Sequence, residues 1–210
     1  MTSSAARPGH RLFTVFEGTR QIAHGPLADA VVAAKTAFDR SRTSTVLIFE
    51  DATGELIDVD YSGSPADVLQ AATARERRRT ATGSPLDAAP LPRGPGRPRL
   101  GVVAREVTLL PRHWQWLAGQ PGGASVALRR LVDEARRANA GRDGVRRSQE
   151  VAYRFMAALA GDLPGFEEAI RALFAGDAAR FDAQTTGWPD DVRRYARHLA
   201  AAAFSATPAG

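Results

Sequence analysis

Thr45-Val-Leu-Ile-Phe-Glu50, Asp51-Ala-Thr-Gly54 and Glu55-Leu-Ile-Asp-Val-Asp60 follow one another and decide the reading of the N-terminal part. The first run is filled by β-branched, aliphatic and aromatic residues. The next four are turn formers ending in glycine, and the third run is again β-prone: a β-hairpin. Upstream, Arg11-Leu-Phe-Thr-Val-Phe-Glu17 alternates Leu12, Thr14 and Phe16 with Phe13 and Val15, so it is β-prone on both faces; it turns at Gly18 into Arg20-Gln-Ile-Ala23. Between these hairpins Pro26 can open a helix, with Leu27, Ala30, Val31, Ala34 and Phe38 at helical spacing. Strand–strand–helix–strand–strand predicts a small α+β domain over residues 11–64, one helix on a mostly antiparallel sheet.

Working outward, Ser64-Pro65 predicts a helix start, with Ser64 as cap, and Val68, Leu69 and Ala72 give that helix a thin apolar face. It runs into Arg75-Glu-Arg-Arg-Arg79, favourable at a helix C-terminus. From Thr80 to Arg99 the prolines Pro85, Pro90, Pro92, Pro95 and Pro98 and the glycines Gly83, Gly94 and Gly96 predict a linker, so residues 65–100 are read as helix plus basic Pro/Gly linker. Val102–Leu110 is β-prone and stopped by Pro111. Arg112–Ala118 reads as a short helix, Gln120-Pro-Gly-Gly-Ala124 breaks it, and Ser125 caps a second helix to about Ala138, giving a unit over 101–140. Residues 146–205 read as helical, in segments at Gln149–Leu159, Phe166–Phe174, Asp177–Gln184 and Pro189–Phe204, with Tyr153, Phe155, Phe166, Phe174 and Phe181 as their core.

The chain has 210 residues, no cysteine and a net charge of +5. Absence of cysteine excludes disulfides, thiolate metal sites and cysteine nucleophiles. Charge is uneven: residues 1–64 carry 6 basic and 8 acidic side chains, residues 65–147 carry 16 and 7, and residues 148–210 carry 6 and 8. A basic middle between two mildly acidic ends points to a polyanionic partner, although an arginine-rich composition with a single lysine also fits a solvated surface. The N-terminus lacks a signal-peptide apolar core and no run approaches a membrane span, so a soluble, cytoplasmic protein is expected.

No enzyme signature emerges. His10, His24, His113 and His198 have no second ligand at metal spacing, and neither a nucleophile elbow nor a phosphate-cradling P-loop is present. The carboxylate pairs Glu50-Asp51, Asp133-Glu134, Glu167-Glu168 and Asp190-Asp191 read as exposed or helix-terminal charge. No catalytic, cofactor or metal residue is therefore nominated. Trp114 and Trp116, two apart, point about 200° from each other on a helix, so one is expected in a core and the other at an interface.

Two motifs in the middle carry more. Gly96-Arg97-Pro98-Arg99 resembles the core of an AT-hook, in which proline keeps the chain extended and arginine reaches into an A·T minor groove; Pro95 stands where that motif has a basic residue, and a plain stiff basic linker is the other reading. The run from Val103 to Arg137 resembles ribbon–helix–helix proteins, which are dimeric DNA binders. The resemblance rests on the strand ending in Leu110-Pro111, the short helix with Leu117, the Gly122-Gly123 break, and the Ser125-started helix with Leu128-Arg129. It implies that paired strands from two chains enter the major groove, Val107 and Leu109 facing the core and Ala104, Glu106 and Thr108 the groove, with Ser125 at a phosphate. That groove face contains no basic residue, so either Arg97, Arg99, Arg112, Arg129 and Arg130 carry the binding or the unit only dimerises. The whole chain also resembles an uncharacterised bacterial family of about 200 residues, through Gly101–Leu117, Pro121-Gly-Gly-Ala-Ser125, Ala152-Tyr-Arg-Phe155 and Leu163-Pro-Gly-Phe-Glu-Glu168.

The expectation is a dimeric, non-enzymatic DNA-binding protein, a transcriptional regulator, contacting duplex through Arg97, Arg99, Arg105, Thr108, Arg112, Ser125, Arg129 and Arg130 and using no cofactor. The alternative is an interaction protein whose central unit dimerises without reading DNA.

Overall fold

The computed structural model describes residues 11–83 and 106–205. Two compact units account for them: residues 1–76 with 141–210, and residues 77–140.

In the first unit the chain runs β1 (Phe13–Glu17), β2 (Arg20–Gly25), α1 (Leu27–Arg40), β3 (Val46–Glu50), β4 (Leu56–Ile57) and then into α2 (Pro65–Gly83). The four strands make one antiparallel sheet in the order β2-β1-β3-β4. Both hairpins and the intervening helix fall where the sequence predicts them, so the α+β class holds. The last strand is shorter than expected, because only Leu56 and Ile57 pair with β3 while Asp58–Asp60 leave the ladder.

β1 is buried on both faces, which its two-sided apolar pattern requires. Val15 stands opposite Ile48 and, with Phe13, packs against Ala30, Val31 and Ala34 of α1 and Val68 and Ala72 of α2. Phe16, opposite Leu47, and Phe49 belong to the other face, and there they meet the C-terminal helices.

Those helices are the later part of α4 (Gly123–Leu159), α5 (Phe166–Ala175), α6 (Ala178–Gln184), α7 (Asp190–Leu199) and a closing 3-10 turn (Ala201–Phe204). Phe155 is the hub: its ring lies 5.4 Å from Phe16, 4.9 Å from Phe49 and 4.8 Å from Tyr195. The N-terminal sheet and the C-terminal helices thus share one core, where the sequence suggested two separate parts. Phe155, Phe181 and Trp188 are buried in it. Tyr153 and Phe174, expected there, are exposed and lie ring to ring on the surface.

One close approach ties the sheet to α4. The β3–β4 turn passes so near that a Cβ on Gly54 would lie 2.4 Å from the Val151 carbonyl oxygen, and Gly54 has φ +67°. Arg154 reaches from the same helix to donate to the Thr53 carbonyl at 2.9 Å. At the open edge of the sheet, the Gln21 amide donates to Asp191 on α7 at 2.9 Å, which satisfies one unpaired group of strand β2.

The second unit contains α3 (Pro111–Ala118) and the first part of α4. Pro111 opens α3, its fixed φ suiting the first turn, and Leu110 before it is extended. Gly122 and Gly123 both have positive φ, which a non-glycine residue adopts only under strain, and they turn the chain into α4. The sequence predicted a helix ending near Ala138 and another from Gln149; instead α4 is assigned without interruption over 37 residues, Gly141 and Gly144 lying inside it. Each of those glycines costs about 1 kcal/mol relative to alanine, which the helix carries without breaking.

Candidate functional site

The residues nominated from the sequence are placed as follows. Arg97, Arg99 and Arg105, with the AT-hook-like tetrapeptide and the linker, lie outside the described residues. Of the expected strand, Glu106–Leu110 carries no strand pairing, and the rest is likewise outside. Glu106, Val107 and Thr108 are exposed and Leu109 is half-buried, so the side of the segment meant for a core is only partly covered. Arg112 is exposed at the second position of α3.

Ser125 is not the cap of its helix. α4 begins two residues earlier at Gly123, so Ser125 lies exposed in the first turn, and its carbonyl accepts a 3.0 Å hydrogen bond from the Arg129 side chain. Arg130 lies 3.8 Å from Glu134 one turn on.

The start of α4 is two-sided apart from Val126. At 100° per residue, Ala124, Ala127, Leu128, Leu131, Val132 and Ala135 share one face, while Arg129, Arg130, Arg136 and Arg137 share the other with Asp133, Glu134 and the exposed Val126. The apolar face is largely uncovered. Only Ala127 and, from α3, Leu117 are buried hydrophobics among the described residues of this unit. Leu131 and Val132 are exposed, together with Val107, Leu110, Trp114, Trp116 and Val126. Trp114 and Trp116 retain 42% and 52% of their accessible surface, so neither is the core residue that their spacing suggested; Leu117 takes that position.

A second constellation, in the first unit, was not recognised from the sequence. Asp51 sits at the β3–β4 turn, and its carboxylate gathers three donors. Thr14 of β1 donates to Oδ1 at 2.8 Å, Tyr195 of α7 donates to the same oxygen at 2.7 Å, and His24 of β2 brings Nε2 to 2.9 Å from Oδ2. Burial pushes the Tyr195 hydroxyl well above the ordinary phenol range. Thr14 acts in the opposite direction and the Asp51 charge adds to the rise, so Tyr195 serves as a neutral donor. His198 stacks on the Tyr195 ring at 6.3 Å, and Arg194, ion-paired to Asp191, borders the same recess of about 250 Å³. The sequence held only faint signals of this: a carboxylate beside a turn glycine, and Tyr195 and His198 three apart on one helix face.

Among the described residues, no group of three or more histidine and carboxylate side chains is disposed to hold a metal. No described helix is long and apolar enough to cross a membrane.

The architecture defines an α+β protein with a shared sheet–helix core and a separate basic, amphipathic helical unit. The chain belongs to the family described as "Uncharacterized protein conserved in bacteria (DUF2239)", which matches residues 12–200. No curated protein and no solved structure matches it.

Proposed function

We propose that this protein is a homodimer that binds duplex DNA through its central segment, acting in the cytoplasm as a transcriptional regulator rather than as an enzyme. The observation that carries this reading is the uncovered apolar face at the start of α4, set back to back with an arginine face. Residues 77–140 contain 12 basic and 4 acidic side chains. The apolar face contains no charge, so a second copy can cover it without desolvating an ion, in a two-fold contact of like with like. Such pairing turns both arginine faces outward, where Arg129, Arg130, Arg136 and Arg137 neutralise phosphates, joined by Arg97, Arg99, Arg105 and Arg112. The resemblance to ribbon–helix–helix proteins supports the same arrangement, with Thr108 beside the groove and Ser125 beside a phosphate.

A dimer without DNA binding is the second reading. It is favoured by Glu106, exposed on the side meant for DNA, and by the engagement of Arg129 and Arg130 with their own helix. Light scattering at micromolar concentration and duplex titration at several salt concentrations separate the two. The first reading requires a dimer whose log affinity falls with log salt by about 0.9 per phosphate neutralised. Substituting Arg97→Ala with Arg99→Ala, or Leu131→Ser with Val132→Ser, should weaken binding, the latter pair by producing monomer. A monomeric wild type refutes the pairing, and a dimer that shifts no duplex at low salt leaves the second reading.

A further inference from the structure

Between the last buried residue of the central unit and the first of the shared core, α4 stands without cover. Ala127 is buried in the one, Ser148 and Val151 in the other, and none of the 20 residues from 128 to 147 is buried. Leu128, Asn139, Asp143, Gly144 and Val145 are half-buried and the others exposed. At 1.5 Å per residue this is about 30 Å of helix. Among the described residues its side-chain hydrogen bonds and ion pairs stay within α4: Arg129 with Ser125, Arg130 with Glu134, Asn139 with the Ala135 carbonyl, and Arg146 with Asp143. A helix in water takes most of its stability from packing, and without it about 15 residues are only marginally helical.

Gly141 and Gly144 lie in this stretch, and the boundary between the two compact units falls between Ala140 and Gly141. Nothing in the closed helix requires a glycine at either position. Neither has positive φ, and a Cβ on either would meet nothing within 4 Å. Gly54, Gly122 and Gly165 differ, since each has positive φ and close neighbours. What glycine changes at 141 and 144 is the opened state. It gains more backbone freedom than alanine when the helix opens, about fivefold in the equilibrium for each glycine and about 25-fold for the two.

We propose that α4 carries a hinge at residues 141–144, where its hydrogen-bond ladder opens while both compact units stay folded. Opening there frees the amides of 141–148 from the carbonyls of 137–144, and water takes over both sets because the stretch is largely exposed. No side chain outside α4 has to be released. The opened α4 is two helices, one in each unit, so residues 77–140 engage a partner without keeping the two arms of α4 in line. The hinge requires no assumption about that partner, so it stands or falls apart from DNA binding and from pairing.

Amide hydrogen exchange, read residue by residue by NMR in the full chain, tests this. Protection at 141–148 should lie at least about fivefold, the effect of one glycine, below that at 130–136, which belong to the same uncovered stretch but contain no glycine. Gly141→Ala with Gly144→Ala should raise protection at 141–148 about 25-fold and leave 151–159 as it was. Neither substitution removes a contact or strains φ, so the variant keeps the fold. A smaller difference between 130–136 and 141–148, or a rise of less than about fivefold in the double variant, overturns the proposal.

Discussion

Replacing Gly54 by alanine tests the contact that joins the N-terminal sheet to the C-terminal helices. Two costs add. Gly54 has φ +67°, and an L-residue in that region costs about 1–2 kcal/mol. The new Cβ would also lie 2.4 Å from the Val151 carbonyl oxygen and 3.1 Å from its carbon, backbone atoms that cannot rotate away. The turn must then lift from α4, which loosens the Arg154–Thr53 hydrogen bond and the packing beneath it; overpacking of this kind costs about 1–3 kcal/mol. The sum is about 2–5 kcal/mol, or roughly 5–20 °C in melting temperature for a chain of this size. Gly18→Ala is the internal control. Its φ is +58° but nothing lies within 4 Å of the added Cβ, so only the conformational cost of about 1–2 kcal/mol applies. The assay is thermal unfolding followed by circular dichroism on both variants. Equal losses at the two glycines would refute the close approach of the β3–β4 turn to α4.

Three further outcomes follow from the same structure. Phe155→Ala, which deletes the ring between Phe16, Phe49 and Tyr195, should cost about 3–5 kcal/mol in chemical denaturation. Burial, with the Asp58 charge adding to it, raises the Tyr61 hydroxyl to about 12. Its contribution to stability is complete below the ordinary value of 10.0 and is lost as pH rises through the folded value, and phenolate absorbance against a Tyr61→Phe variant should show that late ionisation. Asp67 is held below its ordinary value by the Ser64 hydroxyl and then by the Ser64 amide. The stabilisation it gives is present above 3.8 and lost as pH falls through the depressed folded value, and Ser64→Ala should move the carboxyl titration, read by NMR, back toward 3.8.

What the sequence made legible was local. The hairpins, α1 and the glycine punctuation at Gly18, Gly54 and Gly122 each follow from a few adjacent residues, and the structure places them as read. Distances beyond one element were harder. Tyr153, Phe155 and Phe174 look alike as helical aromatics, yet only Phe155 points at the sheet, because helix phase relative to a partner is set by the partner and not by the residue. Gly141 and Gly144 suggested a break, but propensity is a weak prior that a long helix overrides. The Asp51 constellation draws on positions 14, 24, 51 and 195, and no spacing rule connects residues so far apart.

One sequence feature did foretell the shared core. β1 carries large apolar side chains in both phases of its alternation: Phe13 and Val15 on one, Phe16 on the other. A strand covered by a single helix layer needs only one such phase, and the second would face water. α1 and α2 cover Phe13 and Val15, so Phe16 and its neighbour Phe49 need a second layer that residues 11–64 do not contain. The C-terminal helices supply it. A fragment ending at residue 83 should therefore retain the first apolar cluster but expose Phe16 and Phe49, giving a state that binds a hydrophobic dye and lacks near-ultraviolet dichroism. Adding residues 141–205 as a separate chain should restore the signal, because the second layer comes entirely from there. Failure of the two pieces to associate, with the first piece folding cooperatively alone, would mean that the second face of the sheet is sealed by something other than Phe155 and Tyr195.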